Sequence, residues 1–393
     1  MTSFRWLLVV PALLVAAPAP AQDLSDYVDR RIELLLGRPY DHKMISSGQN
    51  FPSVNVQERH RGELIILLRD GIPASSIRSH FGWSEAEAAA RLAELVEAAL
   101  VRREADGKYV PTVMVMSLGD VARYMPVSET LVAETAALIT NRLPEIRRRY
   151  AAIDGFRHVP FEAASLLVLS DVLLDNWQIN AVEREFLAAE RPLRAGSRYY
   201  YSIQERAPLD PREAFGIYGN QYRGFGSATV GVYGNRRTDN PANFQTLDAD
   251  DIERLFSVRP ESASAFKEEL LTRLVAAQND VASLSANDRS GLAKLGWMRD
   301  GEIAIPVLDD RDDEALSAMA DEMTPDLIAL LEAHRSEVTR AYSASPYAAE
   351  VTFEEYFMWW YHLYYTAVTD RLIAEGTVAL PESGLTTYLF VRN

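Results

Sequence analysis

Residues 145–162 match residues 337–354 without a gap at a constant offset of 192: Glu145/Glu337, Arg148/Arg340, Tyr150/Tyr342, Ala152/Ala344, Val159/Val351, Phe161/Phe353 and Glu162/Glu354 are identical. Ordinary residue frequencies give about one identity in a window of that length, so the match points to an internal tandem duplication. The flanks agree. Arg103 to Val113 meets Arg299 to Val307, each with an Asp-Gly turn (Asp106-Gly107, Asp300-Gly301) and a closing proline (Pro111, Pro306). Gly196 to Tyr200 meets Gly384 to Tyr388, each leading into a strand-like run. A chain that repeats itself in this way is expected to fold as two similar halves, residues 56–205 and 248–393, in an α+β, mainly helical architecture with small β elements. Residues 1–21, 22–55 and 206–247 stand outside the two halves as a leader, an N-terminal segment and an insert.

The first half opens with the clearest local signals. An apolar helical stretch runs from Glu63 to Asp70 and stops at Gly71, and a short helix follows around Ala74 to Phe81. Ser84 with Glu87 three residues on is a capping box for a longer helix, Glu85 to Leu100, with Ala88, Leu92, Leu95, Val96 and Ala99 on one face. A hairpin, Val101 to Pro111, turns at Asp106-Gly107, where both residues tolerate positive φ. Three helices and a two-stranded wing over residues 58–111 resemble the winged helix-turn-helix fold, in element order and turn chemistry rather than by a signature motif. DNA-reading members of that fold present basic and amide side chains from the third helix. Here that helix carries Glu85, Glu87, Glu94 and Glu97 against Arg91 alone, so the resemblance implies a scaffold or protein-contact module. The second half has no clean counterpart to these helices; residues 247–284 read as helical, ending before Ser285-Ala286-Asn287.

The amino terminus reads as a cleavable secretory signal. Arg5 is followed by an apolar run from Trp6 to Ala17 and then by Ala19-Pro20-Ala21, a small-residue cleavage site before Gln22. The run is shorter than the roughly 20 apolar residues a membrane span needs and is interrupted by Pro11. A periplasmic or secreted protein is therefore expected. Cysteine is absent, which leaves no disulfide framework, thiolate nucleophile or lipid-attachment site. The formal net charge is −16, the wrong sign for a polyanion partner, so nucleic acid is not expected.

Between the halves lies a Gly- and Tyr-rich insert in which Tyr218-Gly219-Asn220 recurs as Tyr233-Gly234-Asn235. Such glycines suit the turns and bulges of a β-hairpin. A second reading is a loop whose backbone approaches a ligand, with Tyr218, Asn220, Arg223, Tyr233, Asn235 and Arg236 as the candidate contacts.

Two apolar helices form the expected core. One, Phe161 to Ile179, carries Asp171 and Asp175 one turn apart; the other, Phe353 to Ala374, is aromatic around its whole circumference and contains His362. Titratable groups buried in such surroundings have shifted pKa values, which makes Asp171, Asp175 and His362 the candidates for general acid or base work. Trp360 and Tyr361 are expected in the core. No hydrolase, nucleotide-binding or zinc motif is present, and no metal or cofactor is expected. The expected function is that of an exported, non-catalytic binding or interaction protein whose partner is an unknown protein or small-molecule ligand. Two alternatives are an exported hydrolase working through buried carboxylates near Asp171 or Asp175, and a cytoplasmic winged-helix regulator whose leader reflects a misassigned start codon.

Overall fold

The first N–H groups of a helix have no intrahelical acceptor, so a side chain at the cap decides where the helix starts. Ser84 does this as its spacing predicts: its hydroxyl accepts from the Glu87 amide, and the Glu87 carboxylate accepts from the Ser84 amide. In the computed structural model, which describes residues 21–206, 217–235 and 243–392, that cap opens the third of three helices, α2 (Arg61–Arg69), α3 (Ala74–Phe81) and α4 (Glu85–Glu97). They are preceded by α1 (Ala21–Leu36) and β1 (Tyr40–Ser46) and followed by a hairpin, β2 (Val101–Arg103) and β3 (Tyr109–Pro111). Then come β4 (Met114–Met116), α5 (Leu118–Tyr124), α6 (Glu129–Tyr150), α7 (Phe161–Leu166), α8 (Ile179–Ala181), β5 (Leu193–Arg194) and β6 (Ser197–Glu205). The leader, but for Ala21, lies outside the described residues, as does Arg236.

The glycine-rich insert forms a hairpin, β7 (Tyr218–Phe225) and β8 (Ala228–Asn235), turning at Gly226, whose φ is +61°. Beyond it lie α9 (Ala249–Phe256), α10 (Ala263–Ala276) and α11 (Ala286–Lys294), then the hairpin β9 (Met298–Arg299) and β10 (Glu302–Ile303). The chain ends through β11 (Val307–Leu308), α12 (Asp310–Ser343), α13 (Phe353–Ala374) and β12 (Leu385–Val391). Three helices therefore do precede the second hairpin. Ser285 was the misleading residue: it is an N-cap, accepting from the Asp288 amide at 3.0 Å, and opens a helix where the sequence reading ended one.

Two sheets result. One has the order β1-β6-β4, with β6 antiparallel to β1 and parallel to β4, and β5 pairs with the start of β6. The other has the order β11-β12-β8-β7, with β12 antiparallel to β8 and parallel to β11. In both, a short strand after a helical hairpin module runs parallel to the strand that closes the segment. β1 and β7 are edge strands, and both border the cavity described below.

Between the sheets the apolar helices pack as one core. Every residue of α13 from Glu355 to Thr366 is buried, as a helix apolar on all sides requires. It packs against α6, α12 and the segment after α7. That segment departs from the expected regular helix: Leu167–Val172 is a π-helix, whose i→i+5 bonds add a residue to the turn. The two Asp-Gly turns also differ. Asp300 and Gly301 both take positive φ, at 52° and 84°, as a two-residue turn demands, whereas in the first hairpin only Gly107 does, because its loop is longer. Among the described residues no helix is long and apolar enough to cross a membrane.

The tyrosines singled out by the sequence match make the same bond. Tyr150 Oη donates to the Val159 carbonyl at 2.5 Å, and Tyr342 Oη donates to the Val351 carbonyl at 2.9 Å. Each ties the end of a long helix to the entry of the apolar helix after it. Tyr150→Phe and Tyr342→Phe are each expected to lower the unfolding free energy by about 1 kcal/mol, the net value of one such bond. Urea titration measures this, and a change in either variant indistinguishable from zero would mean the bond is replaced by water at no cost.

Candidate functional site

Asp171 is placed in the π-helical turn and is fully buried. Its Oδ1 lies 2.5 Å from Asn220 Nδ2, its Oδ2 lies 3.1 Å from the Tyr388 hydroxyl, and that hydroxyl lies 2.6 Å from Asn220 Oδ1. Burial pushes the Asp171 carboxyl well above the usual range, and the neighbouring Asp175 adds to it. The three side chains close a ring: Asn220 Nδ2 donates to Asp171 Oδ1, and the Tyr388 hydroxyl lies within donating distance of both Asp171 Oδ2 and Asn220 Oδ1. Tyr222 Oη, 2.9 Å from the Tyr388 oxygen, adds a fourth member. The ring joins β7 and β12 to the core and holds Asp171 off the wall of the cavity described next.

Asp175, one turn on, is buried too, and burial raises its carboxyl to about 7. Its Oδ1 lies 3.8 Å from His362 Nε2. His362 Nδ1 lies 2.7 Å from the Met358 carbonyl, which can only accept, so the proton is on Nδ1 and Nε2 carries a lone pair. Burial lowers His362 to about 4, with the nearby Arg191 charge acting the same way, so the ring is neutral at ordinary pH. Arg191 is itself held by Glu183 through two bonds of 2.7 and 2.8 Å and by Asn180 Oδ1 at 3.2 Å. Its Nη1, and the indole Nε1 of the buried Trp359, have no hydrogen-bond partner among the described residues.

These groups line a cavity of about 540 Å³ between the edge strands β1 and β7. Asp175, Asn176, Ile179 and Asn180 form one wall with Arg191, and Trp359 and His362 contribute from α13. β1 brings His42 to Ser46, and β7 brings Tyr218, Asn220 and Tyr222. Of the strongly exposed phenylalanine, tyrosine and tryptophan rings among the described residues, Tyr27, Phe51 and Tyr222, the last two stand on this cavity.

The structure gathers Asp175, His362, Tyr218 and Asn220 on that wall and leaves the other sequence candidates off it. Asp171 is closed in its ring. Tyr233 is fully buried, its hydroxyl 2.5 Å from Ser170 Oγ. Arg223 donates to the Gln245 carbonyl at 2.9 Å and lies over the Phe225 ring. Asn235 sits at the end of β8, in register with Tyr218. Trp360 and Tyr361 are core residues, bonded to the carbonyls of Pro126 and Leu174. Sequence reasoning missed Arg191, Trp359, Asn180 and the β1 residues. Trp359 carried a visible signal as one of three adjacent aromatics; β1 carried none, because its place is set by pairing with residues 199–205.

Only one carboxyl, that of Asp175, faces the cavity from the acidic pair, and no group of three histidines, aspartates or glutamates is gathered as a metal would need among the described residues. Chemically the wall offers hydrogen bonds and aromatic faces. Comparison of the chain with protein-family models, with curated proteins and with solved structures finds no match.

The raised carboxyls have a consequence for stability. Asp175, Glu350 and Glu355 all titrate near 7 in the fold because of burial, against about 4 in an unfolded chain. Between about pH 6.5 and pH 8 the native state therefore holds protons that the unfolded state has lost, and stability falls as pH rises. His362, shifted the opposite way, opposes the fall only at the lower end of this window, where an unfolded imidazole still holds part of a proton, and three carboxyls outweigh it. Thermal melts across that range are expected to show a falling Tm; a rising one would contradict the placement of these carboxyls.

Proposed function

We propose that this is an exported binding protein that takes a small polar ligand in the cavity between β1 and β7. The observation that carries the reading is the cavity wall: aromatic rings from three separate elements, the carboxamides of Asn176, Asn180 and Gln221, and a single carboxyl. Pockets of this size with a few placed polar groups are the usual form of small-molecule sites. A hydrolase working through two carboxylates is less well supported, since Asp171 is occupied by Asn220 and Tyr388. In this reading the two segments, from α2 to β6 and from α9 to β12, descend from one ancestral unit with a winged-helix-like opening. Support comes from the shared order of three helices, hairpin, short strand, long helix, 3-10 turn, apolar helical segment and strand. Register supports it too: Met114 pairs with Ser202 as Leu308 pairs with Phe390, positions one and two residues past the matched flanks at the same offsets. The ligand site then belongs to the seam between the copies, not to either.

The test is a thermal-shift screen of a small-molecule library on the mature chain and on Gly219→Phe. Gly219 lines the cavity and a Cβ there meets no atom within 4 Å, so a bulky side chain starts from it without a clash at its first atom. Compounds that stabilise the native chain and not the variant are expected; if every hit stabilises both equally, the cavity is not the site. Mass spectrometry of native protein is expected to find Gln22 at the amino terminus, and an intact Met1 would remove export from the reading.

A further inference from the structure

The ligand's chemistry is constrained by how the charges on the cavity wall are spent. Arg191 arrives neutralised by Glu183 in a two-bond pair. Lys43 has Asp41 at 3.5 Å. His42 is held neutral by burial, its Nδ1 3.0 Å from the Tyr201 hydroxyl, and His362 is neutral with its proton on the Met358 side. Asp175, the one carboxyl on the wall, is buried, and burial raises it to about 7, so it is largely uncharged below that pH. A charged ligand entering here would lose its hydration and meet no uncompensated partner, which costs several kcal/mol. What the wall does offer is uncharged and two-sided. Carboxamides of Asn176, Asn180 and Gln221 and hydroxyls of Ser46 and Ser47 both give and accept hydrogen bonds. His362 Nε2 is an acceptor, while Arg191 Nη1 and Trp359 Nε1, unpaired among the described residues, are enclosed by the fold and do not reach the cavity surface. At the mouth, Phe51 and Tyr222 are 52% and 43% exposed, large flat faces left uncovered by the fold.

We infer that the ligand is an uncharged saccharide of one or two rings, its hydroxyls bonded to the carboxamides and His362, and its C–H face stacked on Tyr222 and Phe51. A sugar hydroxyl is both donor and acceptor, as these side chains are, and a pyranose ring has an apolar face to lay against an aromatic one. The inference rests on the binding reading above and narrows it to a ligand class. A free sugar and the chain end of a neutral polysaccharide present the same hydroxyls.

The test is isothermal titration of the mature chain with a panel of uncharged mono- and disaccharides covering gluco, galacto, manno and N-acetylated rings. Glucuronate, glutamate and spermidine serve as charged comparators, and each titration is repeated at low and high salt. At least one uncharged sugar is expected to bind with an affinity that salt changes less than about twofold. His362→Phe, which keeps an aromatic ring and removes the acceptor, is expected to weaken that binding about tenfold, the value of one buried hydrogen bond. Asn180→Ala is the second variant, in case the first repacks the core, and is expected to act in the same direction. Competition by the corresponding polysaccharide assigns the site to a chain end; binding of the free sugar alone assigns it to a diffusible solute, and both support the inference. Preferential binding of a charged comparator, or no heat from any sugar, overturns it. A charged ligand that Gly219→Phe excludes would leave the cavity standing and sink only the saccharide class, whereas a sugar bound equally by Gly219→Phe would remove the cavity itself.

Discussion

Glu355→Ala is expected to destabilise the protein by about 3–5 kcal/mol, the cost of leaving one member of a buried ion pair without its partner. Glu355 and Arg194 are 1% and 4% exposed, and the two side chains are in direct contact. Arg194 also donates to the Tyr199 carbonyl at 2.6 Å and the Thr112 carbonyl at 2.5 Å, while Glu355 Oε1 accepts from the Tyr201 amide at 3.2 Å. The pair therefore pins the first turn of α13 to β6 and to the segment between β3 and β4. Alanine removes the carboxylate and strands a guanidinium among carbonyls and aromatic rings. Urea unfolding measures the loss, and Glu355→Gln separates charge from shape. It keeps an acceptor for the Tyr201 amide, lacks the titrating carboxyl, and should flatten the fall in stability between about pH 6.5 and pH 8. A glutamine variant with the native pH profile would assign that profile to other carboxyls.

The second large effect is at Trp360. Its ring is 1% exposed, stacks on Tyr364 with centroids 5.6 Å apart and planes 5° from parallel, and packs against Phe357. The indole N–H donates to the Pro126 carbonyl at 2.8 Å, which fixes the loop between α5 and α6. Trp360→Ala empties an aromatic site in the most enclosed part of the chain and leaves that carbonyl unpaired, so a cost of about 3–5 kcal/mol is expected. Ligand affinity per folded molecule is expected to be unchanged, because Trp360 bonds the Pro126 carbonyl and does not line the cavity, whereas its neighbour Trp359 does. Lost binding at an unchanged Tm would reverse those roles.

Local signals were legible in the sequence, and long-range ones were not. The Ser84 capping box, the Asp300-Gly301 turn and the all-round apolar helix each depend on residues within a few positions of one another, and each is present. Ser285 shows where local reading fails: the same small polar residue ends one helix or starts the next, and only the packing of α11 on α9 decides. The π-turn at Leu167–Val172 has no propensity signature, since its residues are those of any apolar helix. Of the site, Asp175 and His362 were visible because titratable groups in apolar runs stand out. Arg191 and Asn180 were not, because an arginine after a surface-like charged stretch gives no hint that Glu183 and a cavity await it. β1 was hidden most completely, its neighbours lying far along the chain.

That last feature sets an order of events. Tyr40 pairs with Glu205 and Ser46 with Tyr199, so the strand that begins the described fold has no partner until the chain is more than half made. Helices α2 to α4 and their hairpin close on neighbours within a short span and can form at once, whereas the first sheet waits for β6 to arrive between β1 and β4. An unpaired edge strand in a half-made chain is a template for the wrong partner. β1 must therefore stay shielded until β6 is made, and the wall of the cavity that β1 supplies is among the last parts of the molecule to exist.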